Sequence, residues 1–474
     1  MPSHAQPFPL PMSILREAVW SSLRATLGSQ PPPQRLPQQE GGAWEPHQAK
    51  RVGRQILALH EAYTTGGGAF AHEENPIHSH LAGYQLYFMP RNLFRVYHTL
   101  LDLPWQPLPA RQRLAPWLDE GPAGPTLRVA DLGCGTGAFS LAVLSWLASL
   151  LPGTSHGSAA EELPALHLTL VDQGRTLLGL AQATLQACAR QLLPGLRLSM
   201  EQHPDGVERH LAKSAPPHAI VGSALMLNEL RLLGPGRAAE RPLRLTEPLR
   251  RLVRPGGLLL LVEAGTRKGY MNLMAMREQL LPAPILYPCP HGQPCPLWNN
   301  RVSQWCHSTR PLPRPFFFDA ELQRSAGLSF AMREVNLAAL AMQLPGNPAG
   351  GAATNAGPQA PFQPRQGLRL ISAPLGTAAP AATSAPRTST PHGRATRRVL
   401  ACAADGQLHE VADPGLGNYT RGLWLAEAQA RLLQSLPQVI PVPREKSRRP
   451  APHRTHKAHG RRSPSGKRSR RTAG

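Results

Sequence analysis

Val129-Ala-Asp-Leu-Gly-Cys-Gly-Thr-Gly137 constrains the fold of this chain more than any other stretch. A short apolar run over 128–132 leads without a breaker into three glycines at alternate positions. Ala138-Phe-Ser-Leu-Ala-Val-Leu-Ser-Trp-Leu147 then carries apolar residues at helical spacing. Strand, glycine turn and helix follow one another as at the first βα crossover of a doubly wound sheet. Glycine suits the turn because a Cβ would hold a bound nucleoside away from the backbone. The spacing is G-x-G-x-G, not the G-x-G-x-x-G of dinucleotide binders. No Lys-Ser/Thr pair follows to hold phosphate and magnesium.

Strands and helices alternate from 128 to about 262. Candidate strands are 128–132, 167–171, 196–200, 219–223 and 257–262, with helices between them that include 176–192 and 242–253. The alternation predicts an α/β, Rossmann-like parallel sheet covered on both faces. Upstream, 1–125 is predicted to be an N-terminal helical region, with helix-period apolar residues at 11–27, 52–63 and 92–103 and proline-rich joints between. The sheet domain is expected over 126–286, followed by a Cys-rich segment, 287–344, that completes the sheet. A flexible low-complexity insertion is expected over 345–395, a C-terminal segment returning to the core over 396–436, and a basic disordered tail over 437–474.

The 474 residues include 52 prolines and 42 glycines, so part of the length is expected to lie outside any packed core. The net charge is +22. From Pro441 onward 12 Lys and Arg face one acid, Glu445, so +11 sits in the tail. That balance favours polyanionic partners, nucleic acid before membrane surface. No apolar run approaches the roughly 20 residues of a membrane span. The start lacks the pattern of a secretory leader, and six cysteines do not suggest a secreted disulfide framework. A reducing compartment is expected.

The glycine turn resembles motif I of class I S-adenosylmethionine (SAM) methyltransferases. Gly133, Gly135 and Gly137 are then the backbone approach to the methionine and ribose of SAM, and Asp131 is placed to position its amino-acid end. Asp172 ends the next strand, where a carboxylate can accept both ribose hydroxyls. Asp205, at the end of the third strand, is a candidate neighbour of the adenine. The fourth strand runs into Leu225-Met-Leu-Asn-Glu-Leu230. It carries neither the Asn/Asp-Pro-Pro-aromatic loop of amine methylation nor a nucleophilic cysteine. Methyl transfer can proceed by positioning alone. Asn228 and Glu229 are therefore the only candidates there, and the catalytic residues stay unassigned.

Cys289-Pro-His-Gly-Gln-Pro-Cys295 is followed by Trp305-Cys306-His307, three cysteines within 18 residues. Thiolates at that density suit a soft metal centre, either an iron–sulfur cluster or tetrahedral zinc. The spacing is neither paired C-x2-C nor the C-x3-C-x2-C loop of radical SAM enzymes. His291, His307 and Cys402 are candidate fourth ligands, while Cys134 and Cys188 are expected to be packing residues.

Several segments together resemble the Rsm-type methyltransferase-like assembly factors of the small ribosomal subunit, found in mitochondria and bacteria. They are Tyr84-Gln-Leu-Tyr-Phe-Met-Pro-Arg, Leu225-Met-Leu-Asn-Glu-Leu230, Arg254-Pro-Gly-Gly, Glu263-Ala-Gly-Thr266, Pro288-Cys-Pro-His-Gly-Gln-Pro-Cys-Pro-Leu297 and Trp305-Cys-His. The likeness covers roughly 50–345 and returns more weakly over 397–436. Glu263-Ala-Gly-Thr departs from the usual Glu-Pro-Gly-Thr. The resemblance implies a SAM-binding domain with a [4Fe-4S] cluster on Cys289, Cys295, Cys306 and Cys402, acting on small-subunit rRNA as methyltransferase, assembly factor or both. The alternatives are an ordinary small-molecule or protein methyltransferase with zinc or no metal at the cysteines, and a catalytically inactive ribosome-associated module. A monomer in the bacterial cytoplasm is expected, with the mitochondrion as the alternative location.

Overall fold

In the computed structural model the strand predicted at 128–132 runs Thr126–Leu132 (β1), and both its faces are buried. Leu127 and Val129 join one apolar cluster, and Ala130 and Leu132 join a second on the opposite face. That two-sided burial is why the strand is a nearly continuous apolar run. The described residues are 10–27, 46–65, 77, 79–122, 124–151, 163–213, 215–230, 240–299, 305–312, 334–345, 362, 368–370, 398–404, 408–412 and 424–425. The chain divides into two units, Met1–Val439 and Ile440–Gly474. The second unit, with the basic tail, lies outside the described residues.

Around β1 stand β2 (Ala165–Val171), β3 (Leu198–His203), β4 (His218–Ala224), β5 (Val253–Ala264), β6 (Ile285–Tyr287) and β7 (Glu334–Gln343). Their order is β3-β2-β1-β4-β5-β7-β6. The first five are mutually parallel, and β7 runs antiparallel to both β5 and β6. Short strands at Leu118–Asp119 and Ser308–Pro311 pair with β1 and β7. The predicted α/β sheet is present, and its order is that of a Rossmann-like class I methyltransferase. The reversed β7, slotted inside the far edge, is a tertiary choice that the strand-by-strand pattern does not encode. The third strand begins two residues later than predicted, because Leu196 N–H closes a turn on the Leu193 carbonyl at 3.0 Å.

Helices cover both faces. On one lie α1 (Met12–Leu27), α2 (Pro46–Thr65), α3 (Met89–Asp102), α4 (Ala138–Leu150) and α5 (Arg175–Leu192), all contributing to the cluster that holds Leu127 and Val129. The N-terminal helices therefore share the sheet's core. A wider π turn, Tyr84–Phe88, leads into α3. On the other face lie α6 (Glu240–Leu252) and α7 (Arg267–Leu280). Cys134 and Cys188 are buried within the first cluster. Among the described residues no helix is long and apolar enough to cross a membrane.

A second sheet has the order β10-β9-β8-β11, from β8 (Leu368–Leu370), β9 (Arg398–Cys402), β10 (Leu408–Ala412) and β11 (Trp424–Leu425). Two pieces inside 345–395 depart from the expected flexible insertion. Phe362 is buried, with its ring 4.6 Å from that of Trp105 and 5.6 Å from that of Trp117. Arg369, on β8, is 1% exposed. An aromatic ring and a paired cation suffice to anchor a segment whose average composition lacks core residues. The remainder of that insertion, and of the predicted C-terminal segment beyond Ala412 apart from β11, lies outside the described residues.

Candidate functional site

The chain reverses over residues 133–137, between β1 and α4. Gly133, Gly135 and Gly137 take φ values of +65°, +52° and +88°. A Cβ on Gly133 would meet Met226 Cγ at 3.0 Å, and one on Gly135 would meet Tyr84 Oη at 3.3 Å. The turn is thus enclosed by the loop after β4 and by the π turn ahead of α3. It sits at the carboxyl ends of β1, β2 and β4, where the sheet's connections switch faces and nucleosides bind in this architecture.

Asp172, just past β2, accepts from Gly135 N–H through Oδ2 at 2.9 Å and from Gly174 N–H through Oδ1 at 2.8 Å. Asp131 is nearly fully buried. Its Oδ2 accepts from Ser140 N–H at 3.1 Å and Ser140 Oγ at 2.8 Å, tying β1 to α4. Its Oδ1 has no hydrogen-bond partner, and burial pushes the carboxyl up to about 7. An orphaned buried acceptor is costly unless a donor arrives, so this atom fits a ligand ammonium.

Leu225, which follows β4, has a φ of +68°, a strained value for a branched side chain. Its N–H donates to the Val262 carbonyl at 2.7 Å. Beyond it, Leu227 N–H and the Asn228 amide both donate to Glu263. Asn272 Nδ2 donates to Asn228 Oδ1 at 3.2 Å. Glu263 is fully buried, and burial raises its carboxyl to about 8. Asn228 is therefore held at both ends of its amide. Glu229 is exposed and stands close enough to Asp172, Tyr84 and Tyr63 to perturb the phenols electrostatically. Burial first raises both phenols well above the usual range, followed by Glu229 and Asp172 for Tyr84, and by Tyr84 and then the same acids for Tyr63.

The sulfurs of Cys289, Cys295, Cys306 and Cys402 converge beside α7. Cys402 feels Cys289, Cys306 and Cys295, although it arrives on β9 from the second sheet, and Cys289 feels Cys295 and Cys306. Cys295 and Cys402 are buried, and Cys289 and Cys306 are half-buried. Burial pushes the Cys289 thiol up to about 12, with Arg277 pulling it down, and burial also raises Cys295 and Cys402. Around them, His291 Nε2 lies 3.2 Å from Cys402 Sγ and Tyr270 Oη 3.3 Å from Cys295 Sγ. Among the described residues, no three of these sulfurs lie within 4.8 Å of one another.

Two arginines flank this centre that the sequence reading did not single out. Arg277 is fully buried on α7, hydrogen-bonded to Cys289 and donating to the Gln293 carbonyl at 2.6 Å. Arg369 bonds Cys306 and donates to Tyr287 Oη and Ser308 Oγ, both at 2.9 Å. Burial opposes each cation, but for Arg277 the charges of Cys289 and Glu278 outweigh it, and for Arg369 those of Tyr287 and Cys306 do. Arg277 had a legible signal: a cation inside the apolar stripe Leu273-Met-Ala-Met276…Leu280. Tyr84 was noticed as a mark of resemblance, not as a wall of the cleft. Arg369 carries no local signal at all.

A family model described as the mitochondrial small ribosomal subunit protein Rsm22 matches residues 238–315, which contain three of the four converging cysteines. The human mitochondrial ribosome assembly protein METTL17 is 28% identical over 207 residues, covering 40% of this chain. The match spans only 39% of that relative's own length. Among solved structures, an arsenic(III) SAM methyltransferase from Chlamydomonas reinhardtii is 17% identical, with 47% of this chain and 64% of that one covered and a TM-score of 0.25. An rRNA methylase from Streptococcus thermophilus is 13% identical, with 50% and 94% covered and a TM-score of 0.23. The strand order, rather than either of these distant likenesses, assigns the fold. Over residues 238–315 the chain is thus similar to the mitochondrial small ribosomal subunit Rsm22 family, and over 207 residues to the human mitochondrial assembly protein.

Proposed function

We propose that this chain is a SAM-binding, methyltransferase-like factor that acts on the small ribosomal subunit through its rRNA, and that Cys289, Cys295, Cys306 and Cys402 hold a [4Fe-4S] cluster. The observation that carries the proposal is the convergence of four thiols, from segments about 100 residues apart, between two buried arginines. A tetra-thiolate cluster is anionic, and Arg277 and Arg369 offset that charge where water cannot. SAM, when bound, supplies an electrophilic methyl group. The backbone at Gly133 and Gly135 admits it, Asp172 holds its ribose, and Asp131 Oδ1 takes its ammonium.

Whether a methyl group is transferred is a separate question. Glu263 and Asn272 orient the Asn228 amide, whose Oδ1 accepts one bond from Asn272 and has a second lone pair to offer a target N–H. The human relative is named as mitochondrial, which supports the mitochondrial location over the bacterial cytoplasm. Iron, sulfide and zinc content of anaerobically purified protein, with its visible spectrum, tests the cluster. About four irons and four sulfides per chain, lost in Cys289→Ser and Cys402→Ser, is the expected result. One zinc, or no metal, overturns it. Salt-sensitive co-sedimentation with small subunits tests the partner.

A further inference from the structure

At the opposite sheet edge from the thiols, β3 ends in His203-Pro-Asp205-Gly-Val-Glu-Arg-His210, where only Asp205 has been given a role so far, as a candidate neighbour of the adenine. One ligand atom from each of His203, Asp205 and His210 lies within 4.8 Å of the other two. His210 is 3% exposed, and neither of its ring nitrogens has a hydrogen-bond partner. Two unpaired nitrogens on one buried imidazole are unusual in a packed protein. His203 meets the carboxylate of Glu201 through Nε2 at 3.0 Å, which leaves Nδ1 as its ligand nitrogen. A carboxylate on the outer nitrogen is the usual support of a metal-ligating histidine.

We propose that His203, Asp205 and His210 form a divalent transition-metal site, of the zinc class, with Glu201 as the supporting carboxylate. Two imidazoles and one carboxylate are a borderline-soft donor set suited to such an ion. Ligands about 2.0–2.2 Å from a tetrahedral ion sit about 3.3 Å apart, so each pair closes by no more than about 1.5 Å. Asp205 is bonded to Lys213 at 2.5 Å, an ammonium with a 56% exposed side chain that turns into solvent at little cost when a metal arrives. A cavity of about 320 Å³, lined by His210, Lys213 and Arg251 among others, adjoins the site. Its two cations fit an anionic fourth ligand on the metal. The site also touches the SAM cleft, because Asp172 N–H donates to the His203 carbonyl at 3.2 Å.

Titration of chelator-treated full-length protein with Co²⁺ tests the assignment. Cobalt here shows ligand-field bands without thiolate charge transfer, which sets it apart from cobalt on the cysteines. These bands are expected to persist in Cys402→Ser. Asp205→Asn and His203→Gln are expected to lose at least about tenfold in Co²⁺ affinity, and Glu201→Gln about 10–100-fold. Asp205 and His203 lie near the surface, so their variants keep the metal-free melting temperature and carry the test even if His210→Ala fails to fold. Absence of thiolate-free bands, or bands unchanged in both Asp205→Asn and His203→Gln, overturns the proposal. Neither result bears on the iron–sulfur assay, which reads different residues.

Discussion

At the scale of single residues, the glycine turn was legible because a positive φ admits few residue types. At Gly135 the conformation and the space both matter. Alanine there carries about 1 kcal/mol of backbone strain and directs a methyl at Tyr84. The expected outcome for Gly135→Ala is a folded protein with SAM affinity lowered at least about tenfold, read by calorimetry. Glu263 offers a pH test. Its folded carboxyl stays neutral up to about 8, whereas the unfolded one ionises near 4.5. The native state thus binds the extra proton, and stability falls as pH rises from 4.5 toward 8, by up to about 1.4 kcal/mol per unit. Glu263→Gln should flatten that decline in denaturation curves measured at pH 5 and pH 8. The sequence marks Asp131 as the acid at the end of its strand, but not its bonds to Ser140, since only the fold brings α4 back under the strand.

Among elements, the five parallel strands and their helices could be read from period and punctuation to within a few residues. The reversal of β7 could not, because pairing partners are chosen by tertiary packing. The second sheet was half visible. β9 announced itself through Val399-Leu-Ala-Cys402, while β8 hid in a stretch poor in apolar residues. β8 and β9 meet the rest of the protein through Arg369 and Cys402. Removal of metal should therefore raise amide exchange over 368–370 and 398–402 while leaving β1 and β4 protected, as hydrogen-exchange mass spectrometry would show. Equal protection with and without chelator would separate the second sheet from the thiol centre.

For the molecule as a whole, charge was the plainest signal in the sequence. With +11 from Pro441 onward, deletion of that tail should weaken the proposed rRNA binding and reduce its salt slope, because each neutralised phosphate adds about 0.9 to the slope. A slope unchanged by the deletion would move the contact to the residues before Pro441. The family likeness was also a property of the whole, spread over short marks rather than one long alignment. Its strongest piece was the Cys-rich segment, where ligand chemistry restricts what can stand.

The order in which the four thiols are made has a consequence for biosynthesis. Cys289, Cys295 and Cys306 are close in sequence, whereas Arg369 and then Cys402 are made about 60 and 100 residues later. A nascent or prematurely ended chain can complete the SAM-fold strands β1 to β7 and still lack its last sulfur and one of its two buried cations. The set of four sulfurs is therefore complete only in a chain translated through β9.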